Sequence, residues 1–110
     1  MCDEAWAAGL FDGEGSICWT KERTPQVHIC CYNGCLELLQ KLQRIWGGSI
    51  IENRKKPGGL IPYKNPVYRW EIYQNASKLQ FLEDVSPYLI TKREKVLVTI
   101  AFLTKKINIT

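Results

Sequence analysis

The sequence predicts an α+β domain with the order helix, hairpin, helix, hairpin, helix, helix. We expect a four-stranded antiparallel sheet with its helices on one face. Four short segments rich in β-forming residues pair into two hairpins, at 16–32 and 49–73. The segments around them have apolar residues spaced three and four apart, as in amphipathic helices. The 110 residues contain no repeat, linker or low-complexity tract, so we expect one domain, 1–110, with a modest core.

The first predicted helix has one face with almost no side chains. Ala5, Gly9 and Gly13 lie four residues apart on this face, and Ala8 lies beside them. Such a strip allows two backbones to approach closely, and the glycines on both sides of Glu14 are typical of a helix end. The segment therefore predicts a helix that packs against a partner and ends in an acid at the contact. The alternative is an ordinary buried helix with a glycine C-cap and a solvated Glu14.

A hairpin and a second helix follow. The segments 16–21 and 26–32 are rich in β-forming residues, and the short turn between them contains Pro25. From 35 to 46, leucines and other apolar residues recur at helical spacing and predict one buried face. Gly47 and Gly48 end this helix.

The second hairpin is predicted from 49–56 and 66–73. Its connection, 57–65, is long and rich in proline and glycine, which is more typical of a functional loop than of a simple turn. Two capping-box patterns then predict the starts of two helices, which Pro87 separates. The residues of these patterns are Ser77 with Gln80, and Thr91 with Glu94.

Composition is typical of a folded chain. Hydrophobic residues make up 45% of the sequence. Neither a bilayer-length apolar run nor a signal-peptide pattern occurs, so we expect an intracellular protein without a membrane partner. The formal net charge is +4, from 15 basic and 11 acidic residues. The basic residues cluster at 54–64 and 92–106, which suits phosphate binding but also fits an ordinary solvated surface.

The five cysteines are an odd number in a chain without a secretion signal, which argues against a disulfide framework. His28, Cys30, Cys31 and Cys35 lie close together in sequence, but they form no C-x-x-C pair. We therefore interpret the cysteines as free buried thiols rather than as zinc ligands.

A sheet with helices on one face leaves its other face open. Polar residues at alternate strand positions would lie there, and such strands can enter the DNA major groove, where arginine reads guanine. The neighbouring apolar residues allow either strand parity, so the sequence does not decide which residues face outward. The predicted DNA-contacting residues, with Arg69 and Arg54 favoured, are Thr20, His28, Asn53, Arg54, Lys55, Arg69 and Glu71.

Residues 7–15, AAGLFDGEG, resemble the LAGLIDADG motif of homing endonucleases. Ala7 replaces the usual leucine. Glu14 replaces the usual aspartate, which keeps the carboxylate on a side chain that is one methylene longer. The positions that match the motif are Gly9, Leu10, Asp12, Gly13 and Gly15. The resemblance extends over nearly the whole chain, because the predicted order of helices and hairpins is that of the LAGLIDADG domain.

The resemblance also implies a catalytic lysine. The segments 47–50 and 68–72 resemble parts of the family's second hairpin, and 87–95 resembles the stretch that brings a basic residue beside the active site. By this match Lys92 is the lysine of the catalytic pocket. The alternative is that Lys92 only begins a capped helix.

In this family the motif helices of two subunits, or of two halves of one chain, pack together. For this single-motif chain the resemblance implies a homodimer, with an interface formed by Ala5, Ala8, Gly9, Asp12 and Gly13. Glu14 and the Gly13 carbonyl would bind Mg²⁺, for which Mn²⁺ or Ca²⁺ can substitute in binding, and Lys92 would stabilise the charged phosphate. The implied activity is metal-dependent cleavage of both strands of a palindromic or pseudo-palindromic double-stranded DNA target, without a small-molecule cofactor.

Three other interpretations remain open at this point. LAGLIDADG-like domains also occur in splicing cofactors or maturases and in regulators that bind nucleic acid without cutting it. The chain could instead pair with a different half-domain, or use the strip to dimerise in an unrelated role. Its length is shorter than the resemblance leads us to expect, so the chain is either a minimal version or lacks a C-terminal region. The resemblance places such a protein in an organelle (chloroplast or mitochondrion) or in a prokaryotic or phage cytoplasm.

Overall fold

The computed structural model describes residues 2–55 and 62–109. Its helices are α1 (Asp3–Glu14), α2 (Leu36–Trp46), α3 (Asn75–Val85) and α4 (Arg93–Ile109), with a short 3₁₀ turn, Ser86–Tyr88, after α3. Its strands are β1 (Gly15–Trp19), β2 (Val27–Asn33), β3 (Ser49–Lys55) and β4 (Pro62–Ile72). This order confirms the predicted α+β class and the alternation of helices and hairpins. None of the helices in these residues has the length and hydrophobicity that crossing a membrane requires.

The four strands form one antiparallel sheet in the order β1-β2-β4-β3. The boundary of the second hairpin differs from the prediction, because β4 begins at Pro62 rather than at Pro66. Proline is tolerated in a strand where no ladder hydrogen bond is needed, and β2 pairs with β4 only from Tyr68 to Ile72. The rest of the predicted loop, 57–61, lies outside the described residues.

Phe81 of α3 is the centre of the core between the sheet and the helices. Its ring makes edge contacts with Phe11 of α1, Trp46 of α2 and Trp70 of β4, at centroid distances of 5.3, 5.0 and 5.1 Å. The side chains of Phe81 and Trp70 have no exposed surface. Truncating a buried phenylalanine costs roughly 3–5 kcal/mol, so this cluster fixes α1 and α2 against β4.

Two glycines end α2, as predicted. Gly47 and Gly48 have φ angles of 79° and 95°, in the left-handed region that favours glycine. The Gly47 carbonyl accepts a hydrogen bond from the Trp70 indole at 2.8 Å. A Cβ atom added to Gly48 would lie 2.6 Å from the Glu71 carbonyl oxygen. The turn after α2 is therefore packed closely against β4.

The predicted capping box at the start of α3 is wrong. The helix begins at Asn75 without a side-chain cap, so Ser77 lies within the first turn. The Gln80 side chain donates to a carboxylate one turn later, at 2.8 Å, instead of reaching back to the helix start. Tertiary contacts set the position of the helix: Lys78 is 5% exposed, and its ammonium group donates to the Val27 carbonyl of β2 at 2.6 Å.

Candidate active site

Glu14 lies at the corner where α1 leads directly into β1. The Gly15 amide donates to the Phe11 carbonyl at the end of the helix, and Gly15 then pairs with Cys31 of β2. A Cβ atom added to Gly15 would overlap the Phe11 ring, so glycine is required for this close turn. The Glu14 carboxylate is exposed and has no hydrogen-bond or ion-pair partner within the described part of the chain.

The strip of small residues on α1 is exposed, apart from Ala8. Ala5, Gly9 and Gly13 face solvent, and a Cβ atom added to either glycine would contact no other described part of the chain within 4 Å. Ala8 is 0% exposed and lies in the core with Phe11, so its predicted place in an interface between chains is wrong. Different faces of α1 thus form the core and the exposed strip.

Asp12 uses its carboxylate within its own chain. The Ile90 amide donates to Oδ2 at 2.8 Å, and the Thr91 hydroxyl and Lys92 amide donate to Oδ1 at 3.0 and 3.1 Å. Burial acts to raise the pKa of Asp12, but the two amides, the hydroxyl and the Lys92 charge outweigh it and hold this pKa below its ordinary value. The ionised carboxylate joins the end of α1 to the segment before α4. Its predicted role in an interface between chains stays a prediction.

Lys92 lies at the start of α4, against the end of α1. Its ammonium group donates to the Asp12 carbonyl at 2.7 Å, and the last carbonyls of a helix favour a cation electrostatically. The predicted capping box at Thr91 is wrong. The Val96 amide donates to the Lys92 carbonyl, which makes Lys92 the N-cap residue, while the Thr91 hydroxyl donates to Asp12. At the start of α4 the Asp12 carboxylate therefore accepts the hydrogen bonds of the Thr91 hydroxyl and the Lys92 amide, and no Thr91 capping box forms.

The charges of both predicted catalytic residues act on the buried thiol of Cys31. The pKa of Cys31 is raised to about 12, mainly by burial and then by the nearby Glu14 charge. The Lys92 charge acts in the opposite direction. One thiol is thus within electrostatic reach of Glu14 and Lys92, which come from distant parts of the sequence. Their catalytic roles, and the metal-binding role of Gly13, stay predictions.

All five cysteines are free, as predicted, but only Cys30 and Cys31 are buried. The expectation of burial is wrong for the other three, which lie at helix starts or on the open face of the sheet. These exposed cysteines are Cys2, Cys18 and Cys35.

Strand pairing decides which side chains lie on the open face of the sheet. Trp70 and Ile72 are buried against the helices, so Arg69 and Glu71 lie on the opposite face. The same alternation places the exposed His28 of β2 on this face. Three of the residues predicted to contact DNA therefore share one surface.

The other residues predicted to contact DNA differ in position. Thr20 lies just beyond β1, and its hydroxyl accepts a hydrogen bond from the Gln26 amide at 2.9 Å within the β1–β2 turn. Asn53, Arg54 and Lys55 belong to β3, with a register shift between Asn53 and Lys55. The side chains of these three residues lie outside what the structure describes, so their contacts stay predictions.

Tyr32 belongs to the open face and was missed by sequence reasoning. It lies opposite Arg69, and the Tyr32 side chain raises the pKa of Arg69. Burial lowers this pKa, and the Glu71 carboxylate, 3.8 Å from Arg69 Nε, raises it. Arg69 Nε is buried without a hydrogen-bond partner in the described residues. Arg69 therefore carries a positive charge on the open face, where a guanidinium group can recognise a base or a phosphate.

Comparisons with known proteins reveal similar folds. The homing endonuclease I-CvuI, in complex with its target in the presence of Ca, has a TM-score of 0.66 and 23% identity, covering 93% of this chain and 66% of that one. I-CvuI with an I-CreI target and Mg, where the DNA is not cleaved, has a TM-score of 0.67 and 24% identity over the same shares. The archaeal intron-encoded homing endonuclease I-Vdi141I, complexed with DNA, has a TM-score of 0.70 and 17% identity, covering 96% of this chain and 69% of that one.

This chain thus spans about two thirds of the length of these similar structures. No match is found among curated proteins. A family model described as a LAGLIDADG-like domain matches residues 2–86, which include the motif helix, the whole sheet and α3. The resemblance stated from the motif is confirmed by this match. The chain belongs to the LAGLIDADG-like domain family.

Proposed function

We propose that this protein is a site-specific DNA endonuclease. It would cleave both strands of a palindromic or pseudo-palindromic double-stranded target as a homodimer, by metal-dependent phosphodiester hydrolysis. The observation that carries the proposal is the position of Glu14, an exposed carboxylate between the exposed strip of α1 and the sheet. The Lys92 ammonium group is bound to the Asp12 carbonyl, two residues before Glu14. Family membership supports it, as does the similarity to homing endonucleases whose structures contain DNA.

The open face of the sheet is the proposed DNA-binding surface. His28, Arg69 and Glu71 supply hydrogen-bond donors and acceptors there, and Tyr32 lies opposite Arg69 on the neighbouring strand. Strands of this kind fit the major groove, where arginine pairs with guanine. The net charge of +4 favours association with a polyanion.

The proposed homodimer uses the exposed strip of α1. Ala5, Gly9 and Gly13 leave the helix backbone accessible, so a second copy can approach it closely about a twofold axis. Because Glu14 directly follows the strip, the same axis would bring two Glu14 carboxylates near each other. Each carboxylate would serve one DNA strand, which suits a palindromic target.

The oxygen atoms at this corner fit a divalent metal ion shared between two chains. Glu14 and the Gly13 carbonyl offer the hard ligands that Mg²⁺ prefers, and the I-CvuI structures were obtained with Ca or Mg. Within residues 2–55 and 62–109, no group of three or more His, Cys, Asp or Glu side chains could hold a metal ion. We propose that a second copy and DNA phosphate complete the ligand set. When bound, such an ion activates water and stabilises the leaving 3′ oxygen.

Lys92 is proposed to stabilise negative charge on the phosphate. One N–H of its ammonium group is held by the Asp12 carbonyl, and the other donors of this group are available to a phosphate oxygen. Because the ammonium group is held before DNA binds, little reorganisation would be needed during the reaction.

Glu14→Gln tests the proposal, because glutamine keeps the size of the side chain and removes its charge. Affinity for DNA selected by binding is measured with Ca²⁺, and cleavage is measured with Mg²⁺. We expect the wild type to cut both strands and the variant to bind with similar affinity without cutting. Glu37→Gln removes the same charge from an exposed position of α2 and should cut as the wild type does.

Specific binding by the wild type without cleavage would refute the nuclease and support a nucleic-acid-binding module. Cleavage by Glu14→Gln at the wild-type rate would exclude Glu14 from the mechanism. A wild type that neither binds nor cuts DNA would refute both activities. The intracellular location, organellar or prokaryotic, and the extent of the domain over 1–110 stay predictions.

A further inference from the structure

We propose that Asp12 is a positioning residue that fixes Lys92 at the end of α1, beside Glu14. This inference rests on the proposed endonuclease activity and deepens it, because it names the residue that aligns the basic group of the site with the acidic one. The family resemblance implies a place for Asp12 in an interface between chains. Its hydrogen bonds within this chain support a different role.

Three consecutive residues donate hydrogen bonds to the Asp12 carboxylate. Ile90 and Lys92 use their amides, at 2.8 and 3.1 Å, and Thr91 uses its hydroxyl, at 3.0 Å. Both carboxylate oxygens are therefore engaged, and hydrogen bonds to an ionised acceptor are stronger than neutral ones. The backbone that carries Lys92 is fixed to α1 as a result.

Lys92 is held by the same residue at a second point. Its amide donates to the Asp12 carboxylate, and its ammonium group donates to the Asp12 carbonyl at 2.7 Å. A lysine side chain is flexible, so fixing both its backbone and its Nζ atom restricts its position strongly. Asp12 precedes Glu14 by two residues on the same helix. The Lys92 ammonium group and the Glu14 carboxylate are therefore both attached to the end of α1.

A purely local function for these contacts would not require α1. Thr91 and Glu94 have the spacing of a capping box, which could begin α4 without any contact to α1. The Thr91 hydroxyl instead donates to Asp12, and Lys92 becomes the N-cap residue. The start of α4 is therefore attached to the end of α1, where Lys92 is needed.

Asp12→Asn tests the inference, because asparagine replaces one acceptor oxygen with a donor group. In single-turnover cleavage with Mg²⁺ we expect its rate constant to fall by about tenfold or more, since small displacements of a catalytic group are costly. Affinity for selected DNA in Ca²⁺ and the mass of the dimer should not change. Leu42→Val, in the core on α2, is the control for lost stability and should cleave at the wild-type rate.

A second measurement reports the position of Lys92 without any reaction. In lysine labelled with ¹⁵N, an ammonium group held by a carbonyl gives an NMR signal with slow hydrogen exchange, and loss of one signal in Lys92→Met assigns it. We expect this signal in the wild type and in Leu42→Val. It should shift or broaden in Asp12→Asn.

A wild-type cleavage rate together with an unchanged Lys92 signal in Asp12→Asn would overturn the inference. A loss of rate no larger than that of Leu42→Val at equal stability would also overturn it. If Asp12→Asn does not fold, Thr91→Val carries the test, because it removes only the hydroxyl contacts to Asp12 and should reduce the rate less. If the wild type cuts no DNA, the proposed function fails, and the Lys92 signal alone decides the role of Asp12.

Discussion

Replacing Gly9 with alanine separates the stability of the single chain from its self-association. In the single chain an added Cβ atom at this position contacts nothing within 4 Å outside its own helix. Glycine in a helix interior is less favourable than alanine by about 0.5–1 kcal/mol. We therefore expect Gly9→Ala to raise the free energy of unfolding of the monomer by about 0.5–1 kcal/mol.

The same substitution should weaken the proposed dimer. In a close helix contact an inserted methyl group costs about 1–3 kcal/mol, and a twofold axis brings two copies of it into the interface. The total of about 2–6 kcal/mol corresponds to a dissociation constant that is higher by about 30-fold or more. The same change would thus stabilise the monomer and destabilise the proposed dimer.

Sedimentation equilibrium measures the dissociation constant, and urea unfolding at protein concentrations below it measures the stability of the monomer. Thr104→Ala is the matched control, because it raises helix propensity at an exposed position of α4, away from the strip. This control should leave the dissociation constant unchanged. If Gly9→Ala associates as tightly as the wild type while the monomer gains stability, the strip is not the interface, and the reasoning that pairs the two Glu14 carboxylates fails.

Two further predictions concern the corner between α1 and β1. Gly15→Ala should lower the free energy of unfolding by about 1–3 kcal/mol, because its Cβ atom would overlap the buried Phe11 ring. Urea unfolding beside Gly13→Ala measures this, and equal stability of the two variants would contradict it. The pKa of Cys31 is raised from 9.0 in the unfolded chain to about 12 in the folded state. Its contribution to stability is therefore complete below pH 9.0. Above pH 9.0 the unfolded thiol ionises and the folded one does not, so this contribution is lost as the pH rises toward 12. At about pH 10.5 the wild type should have lost about 2 kcal/mol more of its free energy of unfolding than Cys31→Val, as measured by unfolding across alkaline pH. An equal loss in both proteins would show that Cys31 is not the cause.

Local sequence patterns, each confined to one segment, predict most of the helices and strands. Runs of β-forming residues located both hairpins, and the leucine spacing located α2, because each pattern reflects the surface that the segment itself buries. The boundary error at Pro62 has a physical cause. Proline is typical of loops, but this end of β4 pairs only with β3, so one edge of the strand needs no hydrogen bonds.

Contacts between distant segments explain what the sequence could not predict. Thr91 has the spacing of a helix cap, but its hydroxyl donates to Asp12 from the opposite end of the chain. Ser77 has the same spacing, but the buried Lys78 fixes α3 by bonding to β2. Nothing in the local sequence identifies either partner.

The family resemblance predicts Glu14 and Lys92 as site residues, and their roles stay predictions. The sequence leaves open which strand residues lie on the open face of the sheet. Whether Tyr32 faces the core or the open side depends on strand parity, which neighbouring apolar residues left undecided. Burial of Trp70 decides it, because residues on either side of this tryptophan must face outward, and Tyr32 lies opposite Arg69. The burial of one indole thus determines which side chains lie on the open face, the proposed DNA-binding surface.

The position of Glu14 depends on the buried face of α1 more than on any exposed residue. Phe11 packs against Phe81 at 5.3 Å and lies against Gly15, so α1 cannot roll or slide without disrupting one of these contacts. Gly15 in turn is paired with Cys31 in the sheet, without a linker after the helix. The acid, the exposed strip and the open face therefore form one rigid unit. In the proposed dimer, the closeness of the two α1 helices would set the distance between the two acids, and with it the separation of the cuts on the two DNA strands.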